Sequence, residues 1–419
     1  MSSRAGLRNY VLVTIAYWAF TLTDGALRML VLLHFHALGY TPVQLAFLFL
    51  FYEFFGVVTN LLGGWLASRM GLRVTLLGGL ALQVVSLILL TLASPAWSVA
   101  LSVGYVMGAQ SLSGIAKDLT KMSAKSTIKL LVPENQEGAL FKWVAVLTGS
   151  KNALKGVGFF LGGFLLAVLG YEHSLFAMAG GLSIALVGSA LSLPRELGKS
   201  RSKSKFKGLL SKTREVNVLS AARFFLFGAR DIWFVVGVPV FLSVNLGWSF
   251  TRVGSFLALW VIGYGVVQSI APTLISRWTG GRAPQGRAAQ VLAFMLAAMT
   301  AVLCLGLLSG YSPVVVILAG LAGFGVIFAI NSSVHSYLIL AYSDGDKVAM
   351  NVGFYYMANA GGRLVGTLLS GIMFQLAGVT GCLWTSMAFA VAAGATSLLL
   401  PHKQTTMLMA EMKAQGASD

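Results

Sequence analysis

LKGVGFFLGGFLLAVLG (154–170) and GRLVGTLLSGIMFQLAG (362–378) are two versions of one segment, set 208 residues apart. Two shorter matches keep the same offset: LGYT (38–41) with LGWS (246–249), and LASRM (66–70) with LISRW (274–278). Three matches in register make the chain a tandem repeat of two similar halves. Each half must therefore fold alike, and the halves must sit in the same orientation.

The composition says in what solvent they fold. Of 419 residues, 57% are hydrophobic and only 10% charged, with a mean hydropathy of +0.81, outside the balance of a water-soluble domain. A helix of about 20 apolar residues crosses the hydrocarbon core. Twelve stretches qualify, at 10–33, 43–67, 74–93, 98–121, 140–169, 174–193, 217–244, 252–277, 288–309, 313–342, 348–377 and 379–400. The chain reads as an all-α membrane protein whose short loops leave no room for a soluble domain. Arg4 and Arg8 before the first run resemble the start of a signal peptide, but the run is too long and lacks a small-residue cleavage site, so it reads as a retained first span.

The net charge of +17 raises the question of nucleic acid, and the placement of the charges answers it. Basic residues flank every second loop: Arg69 and Arg73, Lys121 to Lys129, Arg195 to Arg214, Arg277 to Arg287, Lys347 and Lys403. The alternate loops carry none, apart from Arg252 at an edge. By the positive-inside rule both termini are expected in the cytoplasm, and no nucleic-acid partner is expected. The stretch PRELGKSRSKSKFKGLLSKTRE (194–215), with eight basic and two acidic residues, divides the spans six and six as a solvated tether. The expected organisation is an N-terminal half at 1–193, a linker at 194–216, a C-terminal half at 217–401 and a tail at 402–419, in a monomer. Cys304 and Cys382 lie in different spans, so neither a disulfide framework, a thiolate site nor a metal centre is indicated.

Two six-helix halves in parallel orientation, joined by a basic loop, resemble the repeat of the major facilitator superfamily. GWLASRMGLRVTL (64–76) is similar to that superfamily's loop motif, matching at Gly64, Leu66, Ala67, Arg69, Gly71, Arg73 and Leu76. Ser68 replaces the usual acid and Leu72 a usual base, so the resemblance implies the packing role of this loop more than its charge relay. GFFLGG (158–163) resembles the antiporter motif of exporting members, with Phe159 where proline is usual; plain small-residue helix packing accounts for it as well.

Six bases sit at membrane depth: Arg28, Lys151, Lys155, Arg223, Arg230 and Arg363. Each is costly there unless paired or facing a wet cavity. Tyr17, Thr21, Asp24 and Arg28, with Thr14, form one stripe of span 1; the alternative is an Asp24 to Arg28 pair that neutralises itself. In span 7, Ser220, Arg223, Phe227 and Arg230 share a face, with Asp231 beside Arg230 as its possible internal partner. An arginine fork suits phosphate-like or carboxylate oxygens better than lysine does. Lys155 and Arg363 are repeat mates, and Glu53 in span 2 is the expected partner of Arg363 across the halves, a candidate gating or coupling pair. Lys155 has no acid at the corresponding place in span 8, so a bound anion is its best reason to be there. Lys117, Asp118, Lys121, Lys125 and Lys129 read as a solvated end of span 4, and His34 with His36 as too few ligands for a metal. Asn331, Ser332, His335, Tyr356 and Asn359 either bond a cargo or link helices. The deep positions give six bases against three acids, Asp24, Glu53 and Asp231, so the expected cargo is a multiply charged anion.

Four segments narrow it further: YWAFTLTDGALRMLVLLHFHALGYTP (17–42), LSGIAKDLTKMSAKSTIKLLVPE (112–134), LTGSKNALKGVGFFLGG (147–163) and SAARFFLFGARDIWFVVGVPVFL (220–242). They resemble the ArsJ-type organoarsenical efflux permeases, over essentially the whole chain. The resemblance implies export of 1-arseno-3-phosphoglycerate and arsenate resistance, with a functional link to the glyceraldehyde-3-phosphate dehydrogenase that makes the compound. An integral membrane enzyme is one alternative, but the sequence shows no metal-ligand set, nucleophile elbow or phosphate-cradling loop, so no cofactor and no catalytic residue is expected. The substrate carries an anion at each end, and the expected clamp sets Arg28, Lys151 and Lys155 at one end and Arg223, Arg230 and Arg363 at the other, with Tyr17 and Asn359 alongside. A permease or antiporter for another phosphate ester or organic anion is the competing reading.

Overall fold

In the computed structural model, which describes residues 3–94, 96–131, 137–195, 213–278, 284–343 and 348–401, every regular element is an α-helix. The N-terminal half comprises α1 (Ser3–Ala37), α2 (Pro42–Leu48), α3 (Leu50–Met70), α4 (Leu72–Thr91), α5 (Val99–Leu131) and α6 (Glu137–Ser192). The C-terminal half comprises α7 (Arg214–Phe234), α8 (Gly237–Val244), α9 (Phe250–Trp278), α10 (Gly286–Leu308), α11 (Pro313–Ala341) and α12 (Val348–Ser397). Ten stretches among the described residues are long and apolar enough to cross a membrane, α2 with α3 and α7 with α8 each forming one.

Two of the ten, of 43 and 47 residues, each contain a reversal. Along the first arm of α6, Gly158 lies against Leu22 and Gly25, Gly162 against Ala26, and Tyr171 stacks on His34 at 3.9 Å near the end of α1. The helix breaks at Gly170 (φ 75°), and the second arm runs back until the Ser192 carbonyl accepts from Arg8 at the beginning of α1. In α12 the first arm follows α7, and the Ser370 hydroxyl accepts from the Val236 and Gly237 N–H groups at 3.1 Å. Beyond the break at Ala377 and Gly378 (φ 61°) it returns, so that Ser386 donates to the Ala229 carbonyl at 2.6 Å. Counted this way the described residues form twelve spans. Only glycine takes this left-handed backbone without steric cost, so Gly170 and its repeat mate Gly378 set both turns.

The repeat is visible in the contacts. A side chain added at Gly371 of α12 would meet Pro42, Val43 and Ala46; one added at Gly163 of α6 would meet Phe250 and Gly254, the residues 208 beyond Pro42 and Ala46. Thr41 and its mate Ser249 accept from the Gln44 and Arg252 N–H groups and so start the equivalent helices. Two seams between the halves, α12 on α2 and α3, and α6 on α9, are thus copies of one another. Between α1 and α7 the structural offset is 206, since Gly158 meets Leu22 where Gly366 meets Gly228.

The outer surface is apolar, with Ile184, Leu191, Leu259 and Leu376 largely exposed, as a lipid-facing surface requires. α5 corrects one expected boundary: it continues to Leu131, well past 121. Of the loop motif, Gly71 (φ 82°) starts α4 and the Arg73 guanidinium donates to the Ala190 carbonyl at 2.6 Å, tying α4 to the end of α6. The side chains of Arg69, Lys125 and Lys129, the surroundings of Gly64, and the segments 196–212 and 402–419 lie outside the described residues.

Candidate substrate cavity

Between the halves lies a cavity of about 230 Å³ lined from α1, α3, α5, α6, α7, α9, α11 and α12. It brings together every expected substrate-binding residue: Tyr17, Arg28, Lys151 and Lys155 from one half, Arg223, Arg230, Asn359 and Arg363 from the other. Thr21, Asp24 and Arg28 line it, but Thr14 does not; Arg223, Phe227 and Arg230 line it, but Ser220 does not. The polar stripes of α1 and α7 face the cavity only along the deeper part of each helix.

A chain of alternating charges crosses from one half to the other. The Arg363 Nη2 lies 2.6 Å from Glu53 Oε1, and its Nε 3.1 Å from Asp231 Oδ2. Arg28 reaches the same Glu53 oxygen at 3.2 Å, and Arg230 holds Asp231 Oδ1 through Nε at 2.6 Å and Nη2 at 2.5 Å. Glu53 is fully buried and also has Lys117 3.9 Å away. One carboxylate therefore serves three cations from three helices, which offsets the desolvation of each. The expected Asp24 to Arg28 pair is not formed: Asp24 accepts from the Tyr52 hydroxyl at 2.7 Å, leaving Arg28 to Glu53, while Arg28 Nη2 stays buried without a partner among the described residues. The internal pairing of Arg230 with Asp231, the alternative to a cargo contact, is formed.

The run at the end of span 4 is the main correction. Lys117, Asp118 and Lys121 were expected in solvent, yet all three line the cavity and Asp118 is fully buried. Asp118 accepts from Thr59 at 2.9 Å, Asn60 at 3.1 Å and Lys121, while the Lys117 ammonium sits 4.0 Å over the Tyr52 ring. The reason is the length of α5. With the helix continuing to Leu131, Lys117 stands a full three turns before its end. The cavity thus counts eight bases, and four acids once Glu53 is included.

Two of the bases have no carboxylate partner within ion-pair distance among the described residues. Arg223 is held by neutral groups, the Asn359 side-chain oxygen at 3.0 Å and Ser332 at 3.1 Å, and lies 4.0 Å over the Phe227 ring. Lys155 faces the Phe159 ring at 5.7 Å. Gln268, which sequence reading passed over, also lines the cavity and accepts from Asn152 across the halves at 3.0 Å. Ser332 and Tyr356 line the cavity, but Asn331 and His335 are buried outside its lining. Among the described residues no three His, Cys, Asp or Glu side chains are arranged to hold a metal.

The Major Facilitator Superfamily sequence model matches residues 12–332, most of the chain. The chain belongs to that superfamily. It is a multi-pass membrane transporter, and the two-half architecture follows from that membership as well as from the contacts above. No curated protein is a significant match to it in sequence. Among solved structures, a POT family transporter in complex with 5-aminolevulinic acid superposes with a TM-score of 0.72 at 16% identity, covering 93% of this chain and 95% of the other. A POT family transporter in complex with a thioalcohol-conjugated peptide gives 0.71 at 16% identity, with the same coverage. At that identity the likeness concerns the fold alone.

Proposed function

We propose that this major facilitator protein is a secondary active exporter of an organoarsenical anion, 1-arseno-3-phosphoglycerate, working as a monomer in the cell (inner) membrane with both termini in the cytoplasm. The observation that carries the anionic cargo is the cationic excess of the cavity, eight bases against four acids, contributed by both halves. Among the described residues Lys155 in one half and Arg223 in the other have no carboxylate within ion-pair distance, and they suit the two charged ends of such a molecule. The identity of the cargo rests on the resemblance of the charge-bearing helices α1, α5, α6 and α7 to the ArsJ-type permeases. In this reading a glyceraldehyde-3-phosphate dehydrogenase supplies the substrate, alternating access carries it out, and arsenate resistance results. Glu53, Asp231 and Asp24 act in gating or coupling: Glu53 and Asp231 make the pairs that join the halves through Arg363, and Asp24 is a carboxylate facing the cavity with, among the described residues, only the neutral Tyr52 hydroxyl bonded to it.

Everted vesicles test it. They are expected to accumulate arsenic only when arsenate, glyceraldehyde 3-phosphate, NAD and the dehydrogenase are all supplied. Accumulation from arsenate alone overturns the reading. The cavity lining distinguishes charge rather than arsenic from phosphorus, and this favours, as the second reading, a permease or antiporter for another phosphate ester. Uptake of a stable phosphate ester in the same vesicles, without arsenic, is its signature.

A further inference from the structure

The two seams between the halves are built to one pattern but charged differently. At the first, Arg363 of α12 meets Glu53 of α3 at 2.6 Å. At the second, the mate of Arg363 is Lys155 on α6, and the mate of Glu53, 208 residues on, is Val261 on α9. The equivalence is structural as well as sequential. Gly371 packs on Pro42 and Ala46, and Gly163 packs on their mates Phe250 and Gly254; between them, Gly156 brings α6 against Ala258 and Ile262, on either side of Val261. Lys155 and Val261 both line the cavity. The second seam thus holds the cation and lacks the carboxylate.

Nothing else among the described residues supplies it. Asp24 faces the same cavity but lies beyond ion-pair distance of Lys155, Glu53 is shared among three cations, and Asp231 is held by Arg230 and Arg363. A buried ammonium left without a counter-ion costs several kcal/mol.

We infer that the space between Lys155 and Val261 is an anion subsite, in which one tetrahedral oxyanion group of the cargo takes the place that the Glu53 carboxylate holds at the other seam. This rests on the reading of the cavity as an anion site and says where the anchoring end lies. The cargo's other end is then left for Arg223. Valine at 261 is the specificity element: its apolar side chain keeps the ammonium unneutralised until an anion arrives.

The test is to supply the missing acid. In purified full-length protein in detergent, inorganic phosphate at millimolar concentration is expected to raise the melting temperature of the wild type. Val261→Glu is expected to melt higher than wild type without phosphate, to lose the phosphate-dependent rise, and to lose transport. Lys155→Gln is expected to lose the rise without gaining that intrinsic stability, its apparent phosphate affinity falling about 30-fold or more. A phosphate-dependent rise of wild-type size in Val261→Glu overturns the subsite; should that variant fail to fold, the same rise in Lys155→Gln overturns it. If vesicles export no organoarsenical but phosphate stabilises only the wild type, the subsite stands and the cargo assignment falls. If the organoarsenical is exported and Val261→Glu exports it normally, the subsite falls and the cargo stands.

Discussion

Lys155 and Arg230 look alike in sequence, each a base at membrane depth, yet they do different work. Arg230 puts two nitrogens on one Asp231 oxygen, at 2.6 and 2.5 Å, whereas Lys155 has the Phe159 ring beside it and no carboxylate within ion-pair distance among the described residues. Arg230→Lys keeps the charge but loses the fork, so organoarsenical export in vesicles is expected to be abolished while the protein still reaches the membrane. Lys155→Ala is expected to do the same by removing the cation; normal export by both variants would refute the clamp. Glu53→Gln leaves Arg28, Lys117 and Arg363 facing one another without their shared anion. Denaturant titration in micelles is expected to show a loss of about 3–5 kcal/mol, the scale of a broken buried ion pair. The meeting of Glu53 with Arg363 was legible, because repeat symmetry names which helices abut. The attachment of Lys117 and Arg28 to the same carboxylate was not, because it depends on side-chain reach across three helices.

At the scale of elements, glycines do two separate jobs that composition cannot tell apart. Gly162 is a contact residue: a Cβ there would run into the backbone of Ala26. Gly170 is a turn residue with open space around it and a φ of 75°. Gly170→Ala is expected to cost about 1–3 kcal/mol, the strain of a positive-φ extended backbone that is essentially glycine's alone. Gly162→Ala must push α1 from α6 and is expected to cost more and to reduce export; unfolding curves of the two variants, measured side by side, check the order. The motif GFFLGG was legible as either an exporter signature or small-residue packing, and the contacts of Gly158, Gly162 and Gly163 supply the packing. The basic run after span 4 was misjudged for an element-scale reason. Apolarity falls away near residue 121, but the helix runs on to Leu131, and Lys117, Asp118 and Lys121 reach Glu53, Thr59 and Asn60 of α3.

For the whole molecule, the charge chain from Arg28 through Glu53, Arg363 and Asp231 to Arg230 crosses from one half to the other. A simple bridge would survive exchange of its ends. Here the exchange Glu53→Arg with Arg363→Glu is expected to fail, because the new arginine would face Arg28 and Lys117, and the new glutamate would face Asp231. Export restored to the wild-type level by the double variant would reduce Glu53 to one half of a pair. The sequence by itself determined the membrane setting, the number of spans and the parallel halves. These follow from hydropathy and from a repeat, and both are properties of residue order. Only the tertiary structure decided which cations have a carboxylate within ion-pair distance and which do not, since pairing in a low-dielectric interior is settled by distances of a few ångströms between helices far apart in the chain.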